Sequence, residues 1–399
     1  MQRNFNFDEF VNRKGTGCAK WDACEEVFGT ADVLPLWVAD MDFRSPPAVV
    51  EALVRRASEG VFGYTRVSPS VTRSLVEWLE RRHGWKIEPE WVVYTPGVIP
   101  GLSFAIQALT RPGDNVIIQP SVYPPFFSAL RSNGCHASLN QLKLEAGKYR
   151  LDLDDMASRF DERTSLFVLC SPHNPVGRVW EEAELRAMGE LCRRHDVVIV
   201  SDEIHSDLIL NGARHLPIAS LSPELARRTI TLVSPAKTFN LPGLKTAAAI
   251  IPEPGLRRAF VRATDACGVH GVNLFGPVAM EAAYRCGEDW LAEALAYLEE
   301  NLAYLEAFLR ERVRGIELVR PEGTFLAWLD CRGLGMDAPS LKQFLVEKAK
   351  VGLNDGAAFG PGGEGFQRLN FACHRSTLEE ALGRIEAAVG GLRCPMQQS

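Results

Sequence analysis

The chain lacks any apolar run approaching the roughly 18–20 residues that a membrane-crossing helix needs, so no helical span is expected. It also lacks an excess of positive charge. Lys and Arg number 44 against 50 Asp and Glu, a net charge of −6 at pH 7. That balance argues against a general nucleic-acid binder and leaves no basic face for a membrane surface. None of the ten cysteines forms a Cys-x-x-Cys pair, so a zinc signature is missing and no metal is expected. The thiols are scattered, with Cys170, Cys192, Cys286 and Cys331 inside expected strands or helices. They read as small apolar residues kept reduced in the cytoplasm. No Gly-x-Gly-x-x-Gly follows an early strand, which removes a dinucleotide-binding dehydrogenase. Residues 1–8 have no apolar signal-peptide core, so export is not expected. Repeats and low-complexity linkers are absent, and only the tail Arg393–Ser399 reads as disordered.

The chain does have the composition of an ordinary globular protein. Its 399 residues, 46% hydrophobic and 24% charged, suit two to three domains. Leu34–Phe43 reads as a short apolar strand that ends in acids. Pro46-Pro47 then opens a helix from Ala48 to about Glu59, since Pro is tolerated in a first turn. A second helix spans Ser68 to His83. From Trp91 the pattern becomes strand, loop, helix, repeated. The strands are Trp91–Tyr94, Asn115–Ile118, Ser165–Cys170, Val197–Val200, Thr229–Val233 and Ala247–Ile251. Runs this rich in Val, Ile and Leu are buried on both faces, as in a parallel sheet between helices. After about Gly276 a long amphipathic helical region extends from Pro277 to Arg314. The alternating segments Glu317–Val319, Thr324–Leu329 and Phe366–Phe371 follow, which suggests a small α+β domain. The expected division is a large domain over residues 48–285 and a small one from residues 1–47 and 286–399.

Four loops just beyond strand ends carry Tyr123, Asn174, Asp202 and Lys237. Open α/β sheets bind ligands at that edge. A Lys near low-dielectric surroundings and other cations loses pKa, so it can attack a carbonyl and carry a proton. An acid can hold a pyridinium protonated, an amide can donate to a phenolic oxygen, and a Tyr can stack on a ring face. The turn Gly97-Val98-Ile99 offers backbone amides at a helix start to a phosphate. Ser234 and Lys245 add a hydroxyl and a cation. Together these residues suit an aromatic phosphorylated aldehyde, pyridoxal phosphate (PLP).

The order Tyr123, Ser171–Gly177, Ser201–His205, Ser234–Lys237, Arg368 resembles fold-type I PLP enzymes of the aminotransferase class I/II superfamily, over nearly the whole chain. Trp37–Phe43, Gly60–Tyr64, Ser201–His205 and Gly365–Asn370 resemble its cystathionine β-lyase group of the MalY/PatB type, which includes cystalysin. The resemblance implies an α/β fold, with a mostly parallel seven-stranded sheet between helices and a small α+β domain. It implies Lys237 as the Schiff-base lysine and catalytic base, Asp202 on the pyridine nitrogen and Asn174 on the 3-oxygen. Tyr123 would stack on the ring. Ser234, Lys245 and the amides of Gly97, Val98 and Ile99 would hold the phosphate. Arg368 would clamp the substrate carboxylate. Tyr64 would reach the cofactor of a partner subunit, which implies a homodimer with shared sites. Asp40 reads either as a solvated acid or as part of the substrate mouth. His205 stands where many aminotransferases have a Tyr on the 3-oxygen, and reads otherwise as a helix-start cap. His173 reads as a polar loop residue.

The activity implied is β-elimination from L-cystathionine or related S-substituted L-cysteines, giving a thiol, pyruvate and ammonia. The alternatives are transamination, which needs the same Lys237, and a second regulatory binding role.

Overall fold

The computed structural model describes residues 4–392; the disordered tail expected at 393–399 lies outside them. The larger sheet has seven strands: β1 (Val92–Thr95), β2 (Asn115–Ile118), β3 (His136–Leu139), β4 (Thr164–Cys170), β5 (Val198–Asp202), β6 (Thr229–Val233) and β7 (Ala247–Ile250). Their order across the sheet is β1-β7-β6-β5-β4-β2-β3. Neighbours run parallel except at β7, which is antiparallel to both β1 and β6.

Burial explains the sequence of these strands. Every residue of β6 is buried, as are Leu166–Cys170 of β4, so neither strand has a polar face. Alternate residues enter opposite layers, as the strand's period of two requires. Val116, Leu166 and Val168 meet the helices Val98–Leu109 and Pro254–Ala266 through Leu102 and Phe260. Ile117, Phe167 and Leu169 meet Leu185, Met188 and Cys192 of helix Glu182–Arg194 on the other side.

A second sheet of four short antiparallel strands runs Glu317–Val319, Leu326–Asp330, Phe366–Asn370, Asn354–Asp355. Helices Glu288–Arg312 and Arg375–Gly391 cover it through Leu298, Leu302, Leu378 and Ile385. Among the described residues, no helix is long and apolar enough to cross a membrane.

Three local expectations are corrected. Of Leu34–Phe43 only Leu34–Pro35 is strand, paired with Val351–Gly352. The region from Pro277 to Arg314 is two helices, Phe275–Cys286 and Glu288–Arg312. They part at Gly287, where a side-chain carbon would stand 2.5 Å from the Ala283 carbonyl and from the Phe239 ring. Strand β3 was not foreseen, because His136 and Ser138 mask its pattern at the exposed edge of the sheet.

Candidate active site

In the sheet order β6, β5, β4 and β2 are neighbours, and all run the same way. Their carboxyl ends therefore bring Lys237, Asp202, Asn174 and Tyr123 to one edge. All four line one cleft, about 890 Å³ when its open mouth is counted. His205, Ser234, Lys245, Gly97, Val98 and Ile99 line the same cleft.

Lys237 follows β6 in a single helical turn, Pro235–Thr238. Its Nζ donates to the Ala39 carbonyl at 2.5 Å. Burial, then the nearby Arg368 charge, pulls its pKa down to about 8. Asp202 ends β5 and is buried, and its carboxylate accepts the Ile204 N–H at 3.1 Å. Burial pushes its pKa up to about 7 against the pull of that N–H and of Lys237. His205 is buried with Nδ1 unpartnered, and lies edge-on to Phe325 at 5.9 Å. Burial and the charges of Lys237 and Arg368 hold it well below the usual histidine range, so the ring is neutral. Burial raises the Tyr123 phenol above its ordinary value.

The smaller sheet meets the cleft through Arg368, which does not line it but bonds the lining residue Asn174. Arg368 projects from strand Phe366–Asn370 and is buried. Its Nη1 donates to Asn174 Oδ1 at 2.9 Å, and its Nη2 donates to the Trp37 carbonyl at 3.0 Å and to Asn354 Oδ1 at 2.6 Å. The guanidinium lies over Phe359 at 5.0 Å, and its Nε has no partner. Burial brings its pKa down to about 10, so it keeps its charge at neutral pH.

One end of the cleft is the start of helix Val98–Leu109, whose first N–H groups have no intrahelical partner. Ser234 Oγ donates to the Thr246 carbonyl at 2.8 Å and accepts the Ala236 N–H at 3.1 Å. Lys245 is exposed in left-handed backbone, φ 49°. Asn273 holds that turn by donating to the Lys245 carbonyl at 3.2 Å.

Two expected residues stand apart. Tyr64 is fully exposed, in a segment with Val61 and Phe62, and does not line the cleft of its own chain. Asp40 adjoins the wall residue Ala39, but its carboxylate is committed to Arg13 at 2.5 Å and Lys20 at 3.0 Å. His173 is buried beside the site. It is bound to the Ser121 carbonyl at 2.9 Å, and burial lowers its pKa to about 4. Ala39 contributes through a backbone carbonyl, for which a sequence carries no signal.

The residues present fit the expected cofactor. A buried acid with one backbone donor and an unpartnered His205 nitrogen face a cleft that also holds a lysine of lowered pKa and an open helix N-terminus. Those are an acid for a ring nitrogen, an amine for an aldehyde and donors for a phosphate.

Residues 31–385 match the family described as aminotransferase class I and II. The chain belongs to that family. Cystathionine beta-lyase PatB of Bacillus subtilis is 45% identical, over 96% of this chain and all of PatB. A PLP-bound putative aminotransferase from Clostridium difficile superposes with a TM-score of 0.95 at 43% identity, covering 97% of this chain and 100% of that one. Cystalysin from Treponema denticola, whose structure contains PLP, also gives 0.95, at 34% identity over 98% and 100%. Within this family member, Lys237, Asp202 and Asn174 take their spacing from adjacent strands of one sheet, and Arg368 comes from a strand of the second sheet.

Proposed function

We propose that this protein is a PLP-dependent carbon–sulfur β-lyase. Its substrate is L-cystathionine or a related S-substituted L-cysteine, which with water gives a thiol, pyruvate and ammonia. From cystathionine the thiol is homocysteine. The observation that carries the reading is the 45% identity to a cystathionine β-lyase along that protein's whole length.

When bound, PLP supplies an electrophilic carbonyl and a ring that draws electrons from the substrate's α-carbon. Lys237 Nζ would hold the carbonyl end, and its free amine would take the α-proton. A pKa near 8 leaves a useful fraction of unprotonated amine at neutral pH. Asp202 would hold the ring nitrogen and keep a proton there. Asn174 Oδ1 is already occupied by Arg368, so its Nδ2 is the group left to donate to the ring's 3-oxygen. Tyr123 would lie against the ring, and its raised pKa keeps its hydroxyl protonated. Tyr123 and the newly protonated Lys237 are the donors available to the departing sulfur. Arg368 binds the substrate carboxylate as a planar fork. The amides of Gly97, Val98 and Ile99, with Ser234 and Lys245, hold the phosphate.

The exposed stretch with Val61, Phe62 and Tyr64 supports a homodimer. A second copy would cover these side chains and receive Tyr64 at its own phosphate site.

The test is incubation of the holoenzyme with L-cystathionine without any oxo acid. Equal, sustained release of pyruvate and thiol over many turnovers is expected. The rival is the aminotransferase activity suggested by the Clostridium difficile relative's name. Bleaching of the cofactor's visible band after one equivalent, with recovery on adding an oxo acid, would replace the lyase reading with that one.

A further inference from the structure

Behind the cleft wall lies a buried polar network that the roles above do not use. Asp207 is 4% exposed, yet its carboxylate is fully subscribed. Oδ2 accepts Thr238 Oγ1 at 2.8 Å and Trp78 Nε1 at 3.3 Å. Oδ1 accepts His83 Nε2 at 2.9 Å and Trp78 Nε1 at 3.2 Å. Burial alone would raise its pKa, but the His83 bond and charge, the Thr238 bond and Arg82 hold it below the usual range. Trp78 and His83 both come from helix Pro69–His83, so the carboxylate is tied to a rigid element.

Its position in the chain gives the network a direction. Asp207 and His205 stand in the turn that Asp202, the last residue of β5, leads into. Thr238 is the residue after Lys237, in a helix of only four residues. One turn of helix does not hold itself in place. The Thr238 hydroxyl, 1% exposed, ties it to the Asp202 turn. A second buried pair secures the other flank of Asp202. Glu203 accepts Ser201 Oγ at 2.9 Å and binds His215 Nε2 at 2.9 Å. The His83 and His215 rings meet edge to face at 5.4 Å, which joins the two halves.

We infer that Asp207 is a positioning residue for Lys237, acting through the Thr238 hydroxyl to fix the lysine's turn against the turn that follows Asp202. The inference rests on Lys237 as the proton carrier proposed above. A proton carrier must sit within a fraction of an ångström of its productive place, and a 1 Å error costs roughly 100-fold in rate. From this turn Lys237 Nζ reaches the Ala39 carbonyl.

The test compares Thr238→Val, which keeps the shape and loses the donor, with Thr238→Ser, which keeps the donor. Both are made in the holoenzyme. The readouts are kcat and KM for L-cystathionine and the pH midpoint of the bound cofactor's visible absorbance. Thr238→Val is expected to lower kcat roughly 10- to 100-fold with KM within about twofold. Its absorbance midpoint is expected to move by about half a unit or more, because the surroundings of the Lys237 nitrogen change. Thr238→Ser is expected to restore both. An unchanged midpoint in Thr238→Val, or a Thr238→Ser enzyme as impaired as Thr238→Val, overturns the inference. If Thr238→Val does not fold, Thr238→Ala replaces it. Failure of both to fold makes the contact one of stability alone and also overturns it. The midpoint needs only the cofactor. A wild-type enzyme inactive on cystathionine therefore refutes the lyase reading, while the midpoints still decide the role of Asp207.

Discussion

Arg368 and Asn174 hydrogen-bond, Nη1 to Oδ1 at 2.9 Å, across the junction of the two sheets. Asn174 follows a strand of the larger sheet and Arg368 sits in a strand of the smaller one. The bond orients both partners. It leaves the Asn174 amide nitrogen as a donor toward the cleft and holds the guanidinium edge, whose Nε has no partner, beside it. Any movement of the smaller sheet is felt at Asn174.

Replacing Arg368 by Lys keeps a charge and loses the planar fork. The loss of a charge-assisted bidentate contact is worth about 3 kcal/mol, or roughly 100-fold. KM for L-cystathionine is expected to rise by about that factor, with a smaller effect on kcat. Steady-state kinetics check it, and a KM within about twofold of wild type would remove Arg368 from carboxylate binding.

Lys237 sets a pH dependence in the cofactor-free protein. Its pKa falls to about 8 in the native chain against 10.5 ordinarily. Between those values the unfolded chain holds a proton that the native chain has released, so stability rises with pH across that window. The rate at which the apoprotein captures added PLP is expected to climb with pH through about 8, as the free amine appears. Stopped-flow absorbance measures the capture, and Lys237→Met should abolish both the capture and the stability slope.

Asp202 acts in the opposite sense. Its native pKa near 7 lies above the ordinary 3.8. Between those values the native apoprotein holds the extra proton, so stability falls as pH rises across the window. A shift of this size corresponds to about 4 kcal/mol. Asp202→Asn is expected to flatten the dependence and to make the apoprotein more stable than wild type at pH 8, by denaturant titration. The same variant is expected to lose most of its lyase turnover, because an amide does not hold a ring nitrogen protonated. A variant that retains wild-type turnover would remove Asp202 from that role.

The parts of this architecture that were legible in the sequence are those with a local cause. Strand Thr229–Val233 is buried at every position, so its composition announces it, and Lys237 is placed by the strand before it. The same holds for Asp202 at the end of β5 and Asn174 after β4. Arg368 was different. Phe366–Asn370 reads as a strand, but nothing local says that its third residue crosses to Asn174; the family resemblance marked Arg368 only as a carboxylate clamp. Segment 36–43 misread as strand because its carbonyls are taken by side chains far along the chain. Trp37 O accepts from Arg368, Val38 O from Asn370, Ala39 O from Lys237, and Asp40 O from Asn370 and Lys20. Such partners are set by tertiary packing, and no spacing rule reveals them. Asp207 and Thr238 were overlooked for the same reason.

That carbonyl row depends on a buried cation at the N-terminal side. Lys20 is 0% exposed, with Nζ at 3.0 Å from Asp40 Oδ1 and 3.1 Å from Asp42 Oδ2. Burial alone would lower its pKa, but the two acids outweigh it, so the ammonium stays charged. Arg13 also contacts Asp40, at 2.5 Å, and Asp42, at 2.7 Å, closing a square of two cations and two anions. Lys20→Met removes one corner and leaves Asp42 buried with Arg13 and the Trp21 Nε1 donor at 3.4 Å. Breaking a buried pair costs 3–5 kcal/mol, and the remaining Arg13 puts this case near the lower end, about 3 kcal/mol. The bond from Lys20 Nζ to the Asp40 carbonyl at 2.9 Å is lost as well. The neighbouring Ala39 carbonyl, which receives Lys237, loses support. Lys20→Met is therefore expected to shift the denaturant midpoint down and to lower kcat several-fold. Removing the stranded anion too, in Lys20→Met with Asp42→Leu, is expected to return part of the stability, since an apolar pair replaces buried charges at little cost. The kcat loss should persist in that double variant, because the Asp40 carbonyl still lacks its ammonium. Recovery of kcat together with stability would show that the square stabilises the chain without setting the height of Ala39.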